Sequence, residues 1–255
     1  MTKKATKQTI EDTFAHFEDA VDDKSGFENI TLETTAIPFI KVLQDLSPQL
    51  KKSKPEFIPE AEAGMLFNSV SDKLYKAPLR VVIGKFERYF IEWKPNRGPF
   101  VASHLPEAVE LNRRLMRDEN FRLFDPSTNN TFSDTYVYYV IFPDYLEEGV
   151  CIISLASSSI KEAKKLNRNL LSTVIPGTTR RALPYFMIWD LNVVEESNDK
   201  GSWYGPRFTF NSFVSQEQLD YVVKERKALP NRTLDMKMLE MDKGELSEGA
   251  KDAAY

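Results

Sequence analysis

Six aromatic side chains in this sequence stand where a nucleobase could lie against them: Tyr89, Trp93, Tyr136, Tyr138, Trp189 and Trp203. Each falls in a run dense in aromatic and β-branched residues, the composition of a β-strand. The cations Lys85, Arg88, Arg97, Arg180, Arg181 and Arg207 lie in or beside the same runs. Rings interleaved with fixed positive charge are the chemistry of gripping a single strand. Bases stack on rings at about 1–3 kcal/mol each, and phosphates pair with Lys and Arg. The same residues also have a plainer reading, since most aromatics are core and most surface cations are simply solvated.

Catalytic chemistry has less to work with. The histidines are His16, in a polar stretch, and His104, which gives little basis for a His-dependent nucleophile or a His-rich metal site. No phosphate-cradling Gly-x-x-x-x-Gly-Lys run occurs. The nearest approach to a metal nuclease is Glu92-Trp93-Lys94 with Pro143-Asp144, carboxylates of the kind that hold Mg²⁺. There the acid-x-Lys element precedes the Pro-Asp element, the reverse of the usual nuclease order. The expectation is a binding protein with no catalytic residues, cofactor or metal. Cys151, the single cysteine, lies within an apolar run and excludes a disulfide framework. With no apolar run of the roughly 20 residues that cross a bilayer, a cytoplasmic protein without a membrane partner is expected.

The length of 255 residues, 42% of them hydrophobic and 28% charged, fits one sizeable domain with appendages. The net charge of -4 is unevenly spread. Residues 1–34 carry eight acids against four lysines, whereas residues 161–181 carry six basic residues against Glu162 alone. The stretch after Asp235 is acidic again. Acidic ends therefore flank cationic zones in the middle.

The stacking and phosphate candidates need elements to carry them. Pro184–Val194 and Trp203–Phe213 read as two strands of a hairpin joined by the polar turn Glu195–Ser202. Their alternation puts Phe208 and Phe210 on one face, with Trp203, Arg207 and Thr209 on the other; Tyr185, Met187 and Trp189 share a face of the first strand. Leu79–Trp93 reads as a long strand in which Val81, Ile83 and Lys85 alternate with Val82, Gly84 and Phe86, with Gly84 marking a bulge or bend. Beyond it Tyr89, Ile91 and Trp93 share one face, and Arg88, Phe90 and Glu92 the other. Thr135–Phe142 and Gly149–Ser157 make a second hairpin, and Gly64–Val70 with Lys73–Tyr75 a small third one. Helices are expected at Ile37–Leu46, at Glu107–Arg117, and after Ser159, where Ala163, Leu166 and Leu170 form a buried stripe. Capping boxes are expected at Ser159 with Glu162 and at Ser215 with Gln218.

In order, these are a long strand, an insertion with a helix at about 105–118, two strands, a helix, two strands and a helix. The expected fold is mainly β with helices, in the order of the five-stranded OB-fold Greek-key barrel: a helix between strands 3 and 4, an insertion after strand 1, and a long bent strand that lets a small barrel close. A different antiparallel α+β domain is the alternative. The domain is expected over residues 35–228, between an acidic arm (1–34) and an acidic, largely disordered tail (229–255).

The segments Ile37-Pro38-Phe39-Ile40-Lys41-Val42-Leu43-Gln44, Ala63-Gly64-Met65-Leu66-Phe67-Asn68 and Arg88-Tyr89-Phe90-Ile91-Glu92-Trp93 resemble bacteriophage single-stranded DNA-binding proteins. The tail from Asp235 to the terminal Tyr255 is similar to the acidic, aromatic-ended C-termini with which such proteins recruit replication partners, though Lys237, Lys243 and Lys251 interrupt it. The resemblance implies an OB-fold that binds single-stranded DNA without catalysis. It also implies a role in phage DNA replication, recombination or repair, with replication or recombination proteins as further partners through the tail. A protein-interaction module binding a host polymerase or a defence enzyme is the competing expectation, and a metal-dependent nuclease a third.

Overall fold

The computed structural model describes residues 36–95, 98–112, 115–119, 122–199 and 201–229. The arm expected over 1–34, the residue Arg97 and all of the expected tail but Leu229 lie outside the described residues. No helix among the described residues is long and apolar enough to cross a membrane.

The spine is a 15-residue strand, β4 (Leu79–Trp93). Three short strands precede it: β1 (Ile40–Val42), β2 (Leu66–Asn68) and β3 (Leu74–Tyr75), paired in that order as a small sheet. After β4 come β5 (Phe100–His104), helix α1 (Pro106–Asn112), β6 (Met116–Arg117) and β7 (Leu123–Phe124), which together form the insertion. Then follow β8 (Thr131–Ile141), β9 (Val150–Ala156), α2 (Ile160–Ser172), β10 (Met187–Asn198), β11 (Gly201–Phe213) and α3 (Gln216–Ala228).

The long strand serves three partners, β10, β8 and, along Phe90–Trp93, β5. Leu79–Val82 pair with β10, and Val82–Trp93 pair antiparallel with β8. With β9 on β8 and β11 on β10, the strands run β9-β8-β4-β10-β11 across the sheet. The terminal strands β9 and β11 do not pair with each other among the described residues, so the sheet is a curled half-barrel and not the closed barrel expected from the sequence.

The bulge expected at Gly84 is present, as a shift of register between Ile83 and Lys85. It reverses the alternation read from the sequence. Val81 and Ile83 point to the inner core; beyond the bulge Phe86 lies opposite Tyr138 and Arg88 opposite Tyr136, so it is Phe86, not Lys85, that continues the inner face. Tyr89, Ile91 and Trp93 join Val82 in a second core on the outer face. One inserted residue thus moves every later side chain of the strand to the opposite side.

Both faces are packed. Inside, Val81, Ile83, Tyr138, Val140, Ile153, Leu155, Trp189 and Phe208 meet Ala163, Leu166 and Leu170 of α2, the stripe expected for that helix. The Tyr138 hydroxyl bonds into α2, donating to Asn167 Oδ1 at 2.8 Å and lying 3.1 Å from the Ala163 carbonyl. Outside, Ile37, Phe39 and Val222 of α3 cover Val137, Tyr139, Ile152 and Ile188. Arg226 of α3 donates to the Gly84 carbonyl at 3.2 Å and lies 4.8 Å from the Tyr185 ring centroid, fixing the helix over the bend.

Tertiary pairing overrides local spacing in several places. Ile37–Leu46 has helical periodicity but forms β1, because Ile152 donates to the Pro38 carbonyl at 2.7 Å and Ile40–Val42 pair with Leu66–Asn68. The helix expected over Glu107–Arg117 is present over Pro106–Asn112 among the described residues, and does not reach Met116–Arg117, which pair with β7. Ser159 makes no side-chain cap, since a 3-10 turn over Ser157–Ser159 leads into α2. Pro184–Phe186 is likewise a 3-10 turn, so β10 begins at Met187; Tyr185 leaves the face of Met187 and Trp189 and packs on the outer core. The expected eight-residue turn Glu195–Ser202 is mostly ladder, with Glu195 opposite Tyr204 and Asn198 opposite Gly201.

The box at Ser215 forms as expected: Gln218 N–H donates to Ser215 Oγ at 3.2 Å, and Ser215 N–H to Gln218 Oε1 at 2.9 Å. Ser215→Ala should cost about 1 kcal/mol in denaturant unfolding, the usual size of a lost cap. A loss within error would show that α3 is held by packing alone.

Beyond Leu191 the β10–β11 hairpin leaves β4 and continues as a two-stranded ribbon. Its edge is pinned by Gln44, whose side-chain amide both donates to the Tyr204 carbonyl and accepts from the Tyr204 N–H at 2.9 Å. Tyr204 therefore turns its backbone away from β10. Pro206, two residues on, faces the same way, so its missing N–H removes no ladder bond. Gly64, at φ +84°, lets the Tyr204 ring close in; an added Cβ would stand 3.0 Å from it. Gln44→Ala should cost about 1–3 kcal/mol by stranding both groups of Tyr204. Unfolding monitored by circular dichroism measures this, and an unchanged midpoint would remove Gln44 as the anchor.

Candidate nucleic-acid interface

Past the Gly84 bulge, the inner face of β4 and β8 runs from the packed core to its open edge. Along β4 it presents Phe86, Arg88, Phe90 and Glu92; along β8, directly opposite, Tyr138, Tyr136, Asp134 and Phe132. Phe86 is 39% exposed, and its ring centroid lies 5.5 Å from that of Tyr136 and 5.1 Å from that of Tyr138. The Arg88 guanidinium lies 5.0 Å from the Phe90 centroid and 5.7 Å from that of Tyr136, close enough for cation–π attraction. Its Nε and Nη2 donate to the two carboxylate oxygens of Asp134 at 2.8 and 2.9 Å.

The row ends in a polar group that ties the insertion down. His104 Nε2 lies 2.8 Å from Glu92 Oε2, and Asn130 donates to Glu92 Oε1 at 2.5 Å. The His104 and Phe132 rings are 5.6 Å apart. Burial, with the Asp134 charge beside it, raises the pKa of the Tyr136 hydroxyl, which stays a neutral donor at physiological pH. The arrangement is a shelf with one open ring, Phe86, and a partly exposed planar cation, Arg88, over a floor of buried rings, a surface on which flat, anionic ligands can lie.

The residues singled out in the sequence divide among several places. Arg88 belongs to the shelf, and Tyr136, 7% exposed, to the core wall that backs it. Tyr138 (0% exposed) and Trp189 (1%) lie beneath it in the inner core and offer no ring face to a ligand. Tyr89 and Trp93 are on the outer face, in the second core. Lys85 is there too, 2.8 Å from Glu87 Oε1 and 5.2 Å from the Tyr139 centroid; Glu87 Oε2 accepts from both the Tyr89 and Tyr139 hydroxyls at 2.8 Å. Trp203 and Arg207 are half-buried on the ribbon, where Arg207 Nη2 donates to Glu196 at 3.3 Å. Arg180 and Arg181 are exposed after α2, along with Lys161, Lys164, Lys165 and Arg168 of that helix.

Phe86, Phe90, Phe132 and Asp134 were not among the sequence candidates. Phe90 shares the parity of Arg88 and was legible from it. Phe86 was hidden by the bulge, and Asp134 and Phe132 by the register of β8, which spacing along one strand does not reveal.

The carboxylates of the nuclease alternative stand apart. Glu92 is bonded at one end of the β4–β8 ladder, and Asp144 pairs with Arg80 at the other. The Cys151 thiol is buried, and burial, followed by the nearby Glu148 charge, pushes its pKa up to about 12, leaving a thiol inert as a nucleophile.

Comparison with curated proteins and with solved structures gives no match for this chain. The half-barrel, its insertion and the whole of α3 fall within residues 4–228, which the family model described as "Pam3 phage gp34-like protein" matches, and the chain therefore belongs to the Pam3 phage gp34-like family.

Proposed function

We propose that this phage-family protein binds single-stranded DNA without strong sequence preference, by stacking bases on the inner shelf and pairing phosphates with its cations, in support of phage DNA replication, recombination or repair. The observation that carries this reading is the exposed ring of Phe86 beside the partly exposed Arg88, backed by the buried rings of Phe90 and Tyr136 on the same face. Stacking is tolerant of sequence because every base has a π-face, and a planar guanidinium serves both ring and phosphate. The strand order β9-β8-β4-β10-β11 supports a finer reading of the fold as an OB-fold with an unclosed barrel. In that fold the loops after the first and fourth strands flank the ligand; here they are the insertion 94–130 and the β10–β11 ribbon. The acidic tail is proposed to meet replication or recombination proteins.

A fluorescence-anisotropy titration of labelled oligo-dT at two salt concentrations tests the reading. Saturable binding that weakens with salt, and that a duplex competitor does not displace at equal nucleotide concentration, is the expected result. A flat titration at low salt would move the reading to a protein-interaction module. The exposed side chains Leu171 (66%), Val174 (44%) and Leu183 (45%) beside the basic helix α2 favour that alternative.

A further inference from the structure

Arg88 meets its surroundings already holding an anion. Asp134 engages Nε and Nη2 with both carboxylate oxygens, the fork on which a phosphate places its two non-bridging oxygens. The pairing is set by register, because Asp134 stands directly opposite Phe90 and diagonal to Arg88 on the inner face. Side-chain exposures of 33% for Arg88 and 21% for Asp134 leave the pair within reach of a solute.

We propose that Asp134 is a resident phosphate mimic which an incoming strand must displace, and that this exchange sets a threshold which phosphate pairing alone does not pass and base stacking does. The inference rests on the single-strand reading above. Exchanging one carboxylate for one phosphate on the same fork trades one charge-assisted pair for another and gains little by itself. A polyanion without bases is offered only that even trade, and it must also approach the displaced carboxylate. A strand with bases adds stacking on the exposed ring of Phe86, and this addition drives the exchange. Asp134 thereby lowers affinity for every anion, and leaves the smallest net affinity to those that cannot stack.

The test is a double-mutant cycle in the full chain, with labelled oligo-dT and an abasic oligodeoxynucleotide of the same length as probes. Asp134→Asn should tighten oligo-dT binding about fivefold and bring up abasic binding, the weaker of the two in the wild type, by the same factor, because both probes displace the same carboxylate. In an Arg88→Gln background Asp134→Asn should change nothing. Asp134→Ser must act in the same direction, which guards against a folding defect peculiar to one variant. Unchanged or weaker binding by both variants overturns the inference, as does equal tightening in the Arg88→Gln background, which would reduce Asp134 to a general surface charge. A wild-type protein that ignores oligo-dT overturns the single-strand reading itself, whereas wild-type binding with unresponsive Asp134 variants overturns this inference alone.

Discussion

Replacing Phe86 with Ala and Arg88 with Gln together is expected to weaken oligo-dT binding about a hundredfold while the chain stays folded. One base–aromatic stack is worth about 1–3 kcal/mol, and loss of a phosphate-pairing cation adds to it. At about 1.4 kcal/mol per tenfold, a combined loss near 3 kcal/mol gives that factor. Phe86 is 39% exposed, so truncating it leaves no closed cavity, and Asp134, freed of its partner, remains near water. The log–log salt slope should fall by about 0.7 in magnitude, a change that a purely apolar loss would not produce. Anisotropy titration of the double variant measures both quantities. A loss under threefold would place the binding surface elsewhere.

Trp189→Ala is expected to act on stability instead, costing about 3–5 kcal/mol in denaturant unfolding, as large-to-small substitutions of a core aromatic do. The indole is 1% exposed, packed edge-on against Phe210 at 5.7 Å and set in the inner core with Met187, Leu191 and Phe208. Its Nε1 has no hydrogen-bond partner among the described residues, so Trp189→Phe, which removes that donor and keeps a ring, should cost less than the Ala variant. Affinity per folded molecule should be unaltered by either change. A variant that folds with wild-type stability but loses DNA affinity would return Trp189 to the stacking role read from the sequence.

The succession of strands and helices was legible in the sequence, because alternation, the two hairpins and the apolar stripe of α2 are local signals. Gly84 was legible as a bulge, but its consequence was not: a single extra residue sends Phe86 inward and Lys85 outward, and only the partner strand fixes the outcome. Helical spacing in Ile37–Leu46 misled because its apolar side chains serve a strand edge on β9 and β2. Aromatic residues were recognised as a class, yet burial separates Tyr138 and Trp189 from Phe86, and burial is a property of the assembled sheet. Asp134 was unreadable in isolation, since its meaning comes from Arg88 across the ladder.

Ultraviolet cross-linking of oligo-dT to the full chain, with mass-spectrometric mapping of the modified residues, tests the location of the site most directly. The account predicts adducts in peptides of β4 and β8, at Phe86 or Tyr136, and their loss in Phe86→Ala with Tyr136→Leu. Adducts confined to α2 and the Arg180–Arg181 segment, with β4 and β8 unmodified at saturation, would contradict it.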